Sequence, residues 1–271
     1  MKTKTKTIAI CIGKGGQLKT TTVCNMAYVL NKFNHRTLVI DVDPQCNATL
    51  LFNAKIKDTY TIYDCFIENR RPENPNNCIQ KTDKGDIIAG DSLISELTAK
   101  IYDGTIKFTD FKTKVLDKVD GYEYIIIDCP PDLTGFINKC ILSSVDEVLV
   151  PCKGDRFSVK GLSDIIKVIG NVKENINPQI KINGILLTNF QGNTRNGINA
   201  YENAKVIAHK LNTTLYETKI RLCAKGQEAI DVADFVCKYS PACTSSLDYF
   251  HFTEEFLNKE KEERQNYGEE Q

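Results

Sequence analysis

The sequence predicts an α/β fold, a doubly wound and mostly parallel sheet with helices on both faces. Three observations carry this. Continuous apolar runs rich in β-branched residues recur along the chain, the pattern of strands buried on both faces. Stretches with helical periodicity lie between them and can serve as crossovers. A loop of glycines and lysines separates the first strand from the first helix.

Taken in order, residues 7–12 read as a buried strand and 20–33 as a helix with Val23, Ala27 and Leu30 on one face. Residues 37–41, 124–128, 147–151 and 182–187 read as further strands. The spacing predicts crossover helices over 136–143, 159–174 and 198–211. Residues 58–119 are less regular and hold a Pro/Asn-rich stretch over 71–77, read as an excursion within one domain. That single domain is expected to span 1–258. Residues 259–271 are mostly charge and amide and read as a disordered tail.

The 271 residues suit one large domain with a sizeable core, at 41% apolar and 26% charged residues. Lys+Arg and Asp+Glu both total 35, so the chain lacks the overall charge of a strongly basic nucleic-acid binder. Any DNA contact has to come from a local patch, such as one completed in a dimer. Eleven cysteines contain no Cys-x-x-Cys pair, which points to packed thiols in a reducing cytosol and away from structural zinc. The apolar run 8–12 is too short for a signal core or a membrane span, so a soluble cytoplasmic protein is expected.

The segment Gly13, Lys14, Gly15, Gly16, Gln17, Leu18, Lys19, Thr20, Thr21 lies between strand and helix, where a phosphate-binding loop belongs. Glycines let backbone N–H groups approach phosphate oxygens, and the helix N-terminus favours negative charge. Lys19 is placed to reach the β- and γ-phosphates of ATP, Thr20 to offer its hydroxyl to Mg²⁺, and Thr21 to touch the α-phosphate. Leu18 stands where the usual pattern has glycine, and its side chain crowds the phosphate cradle.

Two acidic sites follow strands. Asp41 and Asp43 lie at the carboxyl edge of the predicted sheet, the edge where ligands bind in this fold class. Asp128 ends the run Ile125-Ile126-Ile127, where an acid can hold Mg²⁺. Cys129 beside it reads as a packed thiol.

These motifs together resemble the ParA-type partition ATPases, of the deviant Walker A subset of P-loop proteins. The likeness runs through Lys14-Gly15-Gly16-x-x-Lys19-Thr20-Thr21, the string from Asp41 to Thr49, the stretch Tyr124 to Pro131, Gly184 to Thr188, and Glu228-Ala229. The resemblance implies that Lys14 reaches across an ATP-sandwich homodimer to the partner's phosphates. It implies that Asp43 positions the attacking water, that Asp41 supports Mg²⁺, that Asp128 is the Walker B acid, and that Asn189 closes over the base. It also implies non-specific DNA binding through basic residues, here Arg195, Arg221 and Lys225, nucleoid association when ATP-bound, and stimulation by a ParB-like centromere-binding partner.

Leu18, and Ile12-Gly13 in place of the family's common Asn-Gln, depart from the pattern and imply slowed hydrolysis. Other readings are a non-hydrolysing ATP-binding scaffold or regulatory relative, and a MinD-like membrane-cycling ATPase. The second expects a basic, apolar-faced terminal helix, which the tail lacks, so no membrane partner is expected. An iron–sulfur ATPase finds no supporting cysteine spacing, and a tyrosine-kinase relative finds only the lone Tyr267 in the tail.

Overall fold

A computed structural model of the chain describes residues 5–13, 16, 18–153, 156–192 and 194–268, with backbone alone at 156–161, 163 and 266–268. Its framework is one eight-stranded sheet in the order β3-β4-β2-β5-β1-β6-β7-β8. The strands are β1 (Lys6–Ile10), β2 (Thr37–Asp41), β3 (Ile79–Thr82), β4 (Gly85–Ile88), β5 (Tyr124–Asp128), β6 (Glu147–Lys153), β7 (Lys181–Thr188) and β8 (Thr214–Leu215). All neighbours pair in parallel except the hairpin β3–β4. The helices are α1 (Lys19–Lys32), α2 (Asn47–Leu51), α3 (Leu97–Tyr102), α4 (Asp110–Lys114), α5 (Phe136–Leu142), α6 (Arg156–Asn175), α7 (Arg195–Lys210), α8 (Ala224–Asp231), α9 (Val236–Tyr239) and α10 (Thr244–Gly268).

Alternation along each strand divides the core into two layers. Ile8 and Ile10 of β1, Val39 of β2 and Ile126 of β5 pack with Val23, Met26 and Leu30 of α1 and with Phe252 and Phe256 of α10. Ala9, Leu38, Ile40, Ile125 and Ile127 face the other way, toward Phe111, Ile141, Ile165, Ile169 and Ala204. The fold is thus α/β, doubly wound, with helices on both faces.

The expected central strands and crossover helices are all present, with shifts at their ends. The excursion over 58–119 holds a strand pair that the sequence reading left out. Its outer strand Ile79–Thr82 is half-exposed and carries Gln80 and Lys81, so no apolar run marks it. Lys84, at the turn, is buried. Its ammonium donates to the carbonyls of Leu51 (2.7 Å) and Ala233 (2.6 Å) and pairs with Asp234 at 3.3 Å.

The boundary expected at residue 258 needs correction. Helix α10 continues to Gly268, through the segment read as a disordered tail, and Glu260 is only 3% exposed. The cause lies at the amino edge of the sheet. Lys6 pairs with Glu147 of β6 at 2.5 Å and with Glu260 at 3.4 Å. Asn183 donates to Glu147, accepts from Tyr216, and receives Lys259 on its carbonyl. Charges that look solvated in sequence are docked there. Burial, then the Glu147 charge, pushes the Glu260 carboxyl above its ordinary range, while Lys6 opposes both.

Removing the Lys6 cation would leave two buried carboxylates facing each other. Lys6→Met is expected to destabilise the protein by about 3 kcal/mol in urea denaturation. Adding Glu260→Gln to that variant should recover part of the loss.

Candidate functional site

The carboxyl edge of the sheet gathers the strand-end residues around the start of α1. Parallel pairing sets the register: Ile10 of β1 and Asp41 of β2 both lie opposite Asp128 of β5. Asp41 and Asp128 are therefore neighbours, and both are fully buried.

Their surroundings differ. Asp41 Oδ2 accepts from the Thr49 N–H at 2.8 Å and the Thr49 hydroxyl at 2.7 Å, and Oδ1 accepts from the Asp43 N–H at 3.1 Å. Thr49 is fixed in turn by the Gly90 N–H at 2.7 Å. Glycine is needed at 90 for close approach, since a Cβ there would lie 3.0 Å from Asp41 Cγ. Burial pushes the Asp41 carboxyl up to about 6, against the pull of the Thr49 bonds. Among the described residues Asp128 accepts only the Thr20 hydroxyl, at 2.7 Å on Oδ2, while Oδ1 is buried without a hydrogen-bond partner. Burial and the adjacent Asp41 charge push its carboxyl well above the usual carboxylate range.

Helix α1 begins abruptly. Leu18 is its N-cap, with no side-chain cap, and no acid occupies the first turn. The helix thus presents uncapped N–H groups and an uncompensated positive end, a ready anion site. Leu18 adopts φ 59° and Gly16 φ 71°, both left-handed. Glycine takes that conformation freely; a leucine there costs about 1 kcal/mol. This is the physical content of the Leu18 departure: the backbone at 18 is left-handed and carries the strain.

A cleft of about 270 Å³ is lined by Gly16, Leu18, Lys19, Thr20, Thr21, Asp43, Gln45, Asn47 and Pro131. Lys19 is 7% exposed and Asp43 6%, with Asp43 Oδ1 held by the Gln45 N–H at 3.0 Å. The structure thereby brings together Gly16, Leu18, Lys19, Thr20, Thr21 and Asp43, with Asp41 and Asp128 behind them. Gly13 precedes the cleft, and a Cβ on it would meet Leu133. Lys14, Gly15 and Gln17 lie outside the described residues. The donor set fits the expected groups: uncapped N–H groups and a lysine for phosphates, and a hydroxyl beside a half-satisfied buried carboxylate for Mg²⁺.

Asn189 follows β7 with a left-handed φ of 47° and does not line this cleft. The three basic candidates differ from one another. Arg195 starts α7 and is exposed. Arg221 is held by Asp248, Nη2 to Oδ1 at 2.6 Å and Nε to Oδ2 at 2.9 Å. Lys225 pairs with Glu228 at 2.6 Å. Two of the three cations are thus matched by carboxylates, which the sequence could not reveal. The reading of Cys129 as a packed thiol agrees with its full burial beside Cys11; burial, then Cys11, pushes its thiol up.

The sequence reading missed several residues of this site. Gln45, Asn47 and Pro131 line the cleft, and Thr49 with Gly90 orients Asp41. Their motif strings were the available signal. Lys153 had none: β6 runs past Pro151 and brings its ammonium within 3.8 Å of a Cβ placed on Gly16.

Comparison with known proteins matches these features. A family model described as an AAA domain covers residues 5–182. The sporulation initiation inhibitor protein Soj of Bacillus subtilis is 29% identical over 221 residues, 80% of this chain and 86% of Soj. The chromosome partitioning protein ParA of Caulobacter vibrioides is 27% identical over 262 residues, 95% of this chain and 96% of that one. Among solved structures, an ATP complex of McdA from Cyanothece superposes with a TM-score of 0.81 at 18% identity, over 94% of this chain and 96% of McdA. That last likeness is one of fold.

Keeping Asp128 buried and half-satisfied costs stability in the ligand-free protein. Asp128→Asn is expected to raise the unfolding free energy of the nucleotide-free protein by about 1 kcal/mol or more in urea denaturation. The same variant should lose Mg²⁺-dependent nucleotide binding, measured by calorimetry.

Proposed function

Because the chain belongs to the ParA/MinD superfamily of P-loop ATPases, we propose that it is an ATP-dependent DNA-segregation ATPase. The observation that carries this reading is the coupling at the strand ends: Thr20 bonded to Asp128, and Asp128 buried beside Asp41 with one oxygen unpartnered.

In this reading ATP is the substrate. The N-terminus of α1 and Lys19 hold its β- and γ-phosphates, and Thr21 borders the α-phosphate. Thr20 and Asp128 hold Mg²⁺, with Asp41 supporting from behind. Bound there, Mg²⁺ neutralises phosphate charge. Asp43, fixed by Gln45, orients the attacking water for in-line displacement. Lys19 stabilises the charge that develops on the transferred phosphoryl group, joined by Lys14 from the second subunit of a homodimer. Asn189 closes over the base in the same scheme.

The ATP-bound dimer binds DNA non-specifically, in the cytoplasm and on the nucleoid, and a ParB-like partner stimulates turnover. Support for a DNA face is strongest at Arg195, because Asp248 and Glu228 already neutralise Arg221 and Lys225. Among the described residues no helix is long and apolar enough to cross a membrane, and the proposal includes no membrane partner.

A second reading, a non-hydrolysing ATP-binding scaffold or regulatory relative, draws on Leu18. Its left-handed backbone and its side chain at the cleft both work against a tight phosphate cradle.

Calorimetry of Mg²⁺–ATP with the wild type and Leu18→Gly separates the two. Micromolar binding by wild type, with faster turnover in Leu18→Gly and none in Asp43→Ala, is expected for the ATPase. Binding without phosphate release by either Leu18 form, even with DNA and partner present, would favour the scaffold. For DNA, Arg195→Ala should weaken binding by the ATP form and lower the slope of log affinity against log salt by about 1. Lys225→Ala should change it less.

A further inference from the structure

Strand β6 outruns its neighbour β1. Their paired register ends with Ile10 opposite Leu149, and the Cys11 N–H donates to the Leu149 carbonyl at 3.2 Å. β6 then continues through 150–153, paired on its other side with β7 as far as Lys153 opposite Thr188. Residues 147–152 are buried, and Lys153 at the end is partly exposed. The extra length carries this lysine to the level of the phosphate loop. Its ammonium lies 3.8 Å from where a Cβ on Gly16 would sit, and Gly16 lines the cleft. Gly16 has no side chain to come between that ammonium and the cleft.

Sheet order decides the side from which the lysine arrives. β5 and β6 flank β1 on opposite sides. Asp128, with Asp41 next to it, lies on one flank, and Lys153 ends the strand on the other. The charge of the cleft calls for such a group. Among the described residues its lining holds one cation, Lys19, against Asp43, with the buried Asp41 and Asp128 behind. A triphosphate is a polyanion and needs more positive charge than one lysine supplies beside three carboxylates.

We infer that Lys153 is a further phosphate-binding residue, its ammonium contacting the terminal phosphate of bound ATP from the β6 side. This role rests on the ATP site proposed above. In that site Thr21 borders the α-phosphate and Lys19 the β- and γ-phosphates, so the loop followed back from Thr21 to Gly16 leads toward the terminal end of the phosphate chain. Lysine suits the position, because its flexible stem and three donors can follow a phosphate oxygen. Thr20 and Asp128 act on the β5 flank and Lys153 on the β6 flank, so the triphosphate is held from two sides. The contact distinguishes ATP from ADP, which lacks the group that Lys153 meets. It also comes from the same subunit as Lys19, and so is in place before a second subunit brings Lys14.

Calorimetry of the purified full-length protein with Mg²⁺–ATP and with Mg²⁺–ADP tests this. Lys153→Met is expected to weaken ATP binding about tenfold or more, and ADP binding far less. Lys153→Arg keeps the charge and should restore most of the ATP affinity. Equal losses for ATP and ADP, or no loss for either, would overturn the role of Lys153 and leave the ATP site standing. Failure of the wild type to bind ATP would overturn the ATP site, and this contact with it. A second measurement needs no variant to fold. Acetylation of the wild type by an N-hydroxysuccinimide ester, read by peptide mapping, should slow severalfold at Lys153 when Mg²⁺–ATP is bound and less with Mg²⁺–ADP. Equal rates with the two nucleotides would overturn the contact.

Discussion

Parallel pairing of β2 and β5 puts Asp41 opposite Asp128 in the interior, and two carboxylates buried at such separation repel. Much of the carboxyl edge can be read as a response to that repulsion. Asp41 is met by three donors from Thr49 and Asp43, which locks the turn after β2 and the start of α2 onto the sheet. Among the described residues Asp128 is met by one hydroxyl, at the first turn of α1. The first acid spends its hydrogen-bonding capacity on architecture. The second keeps an oxygen in reserve, beside a helix end that is itself uncapped. The same register thus produces a rigid acid and a receptive one.

How far this could be read from sequence depended on the kind of signal. The central strands were legible because burial on both faces demands continuous apolar runs, and the two acids were legible because they end such runs. The outer hairpin strand was not, since the polar Gln80 and the exposed Lys81 break the apolar run. Helix α10 was underestimated for a related reason. Lys259 and Glu260 look like a solvated tail until Lys6, Glu147 and Asn183 are placed beside them. Partnership between distant charges is invisible along a chain. For Arg221 and Lys225, sequence gives the sign of the charge and the fold gives its neutraliser.

Leu18 shows a subtler limit. The letter alone suggests a loop that must rearrange. The backbone instead holds the glycine-like conformation at φ 59°, with α1 beginning at the next residue. Packing of α1 against β1, α9 and α10 evidently supplies enough stability to impose it, since Thr22 and Asn25 are also tied to Tyr249 and Cys237. The cost of the substitution therefore falls on local strain and on the room left for phosphate, while the architecture is unchanged.

Lys84 has a mechanical implication. One ammonium clamps the carbonyl that ends α2 and the carbonyl that follows α8. Helix α2 grows directly out of the turn that carries Asp43, Gln45 and Asn47 along the cleft. A displacement of that turn therefore pulls on a buried lysine, and the lysine pulls on the segment between α8 and α9. One buried ammonium therefore anchors both the helix that follows the cleft turn and the segment between α8 and α9, so neither can be repacked without unsatisfying the other's carbonyl partner.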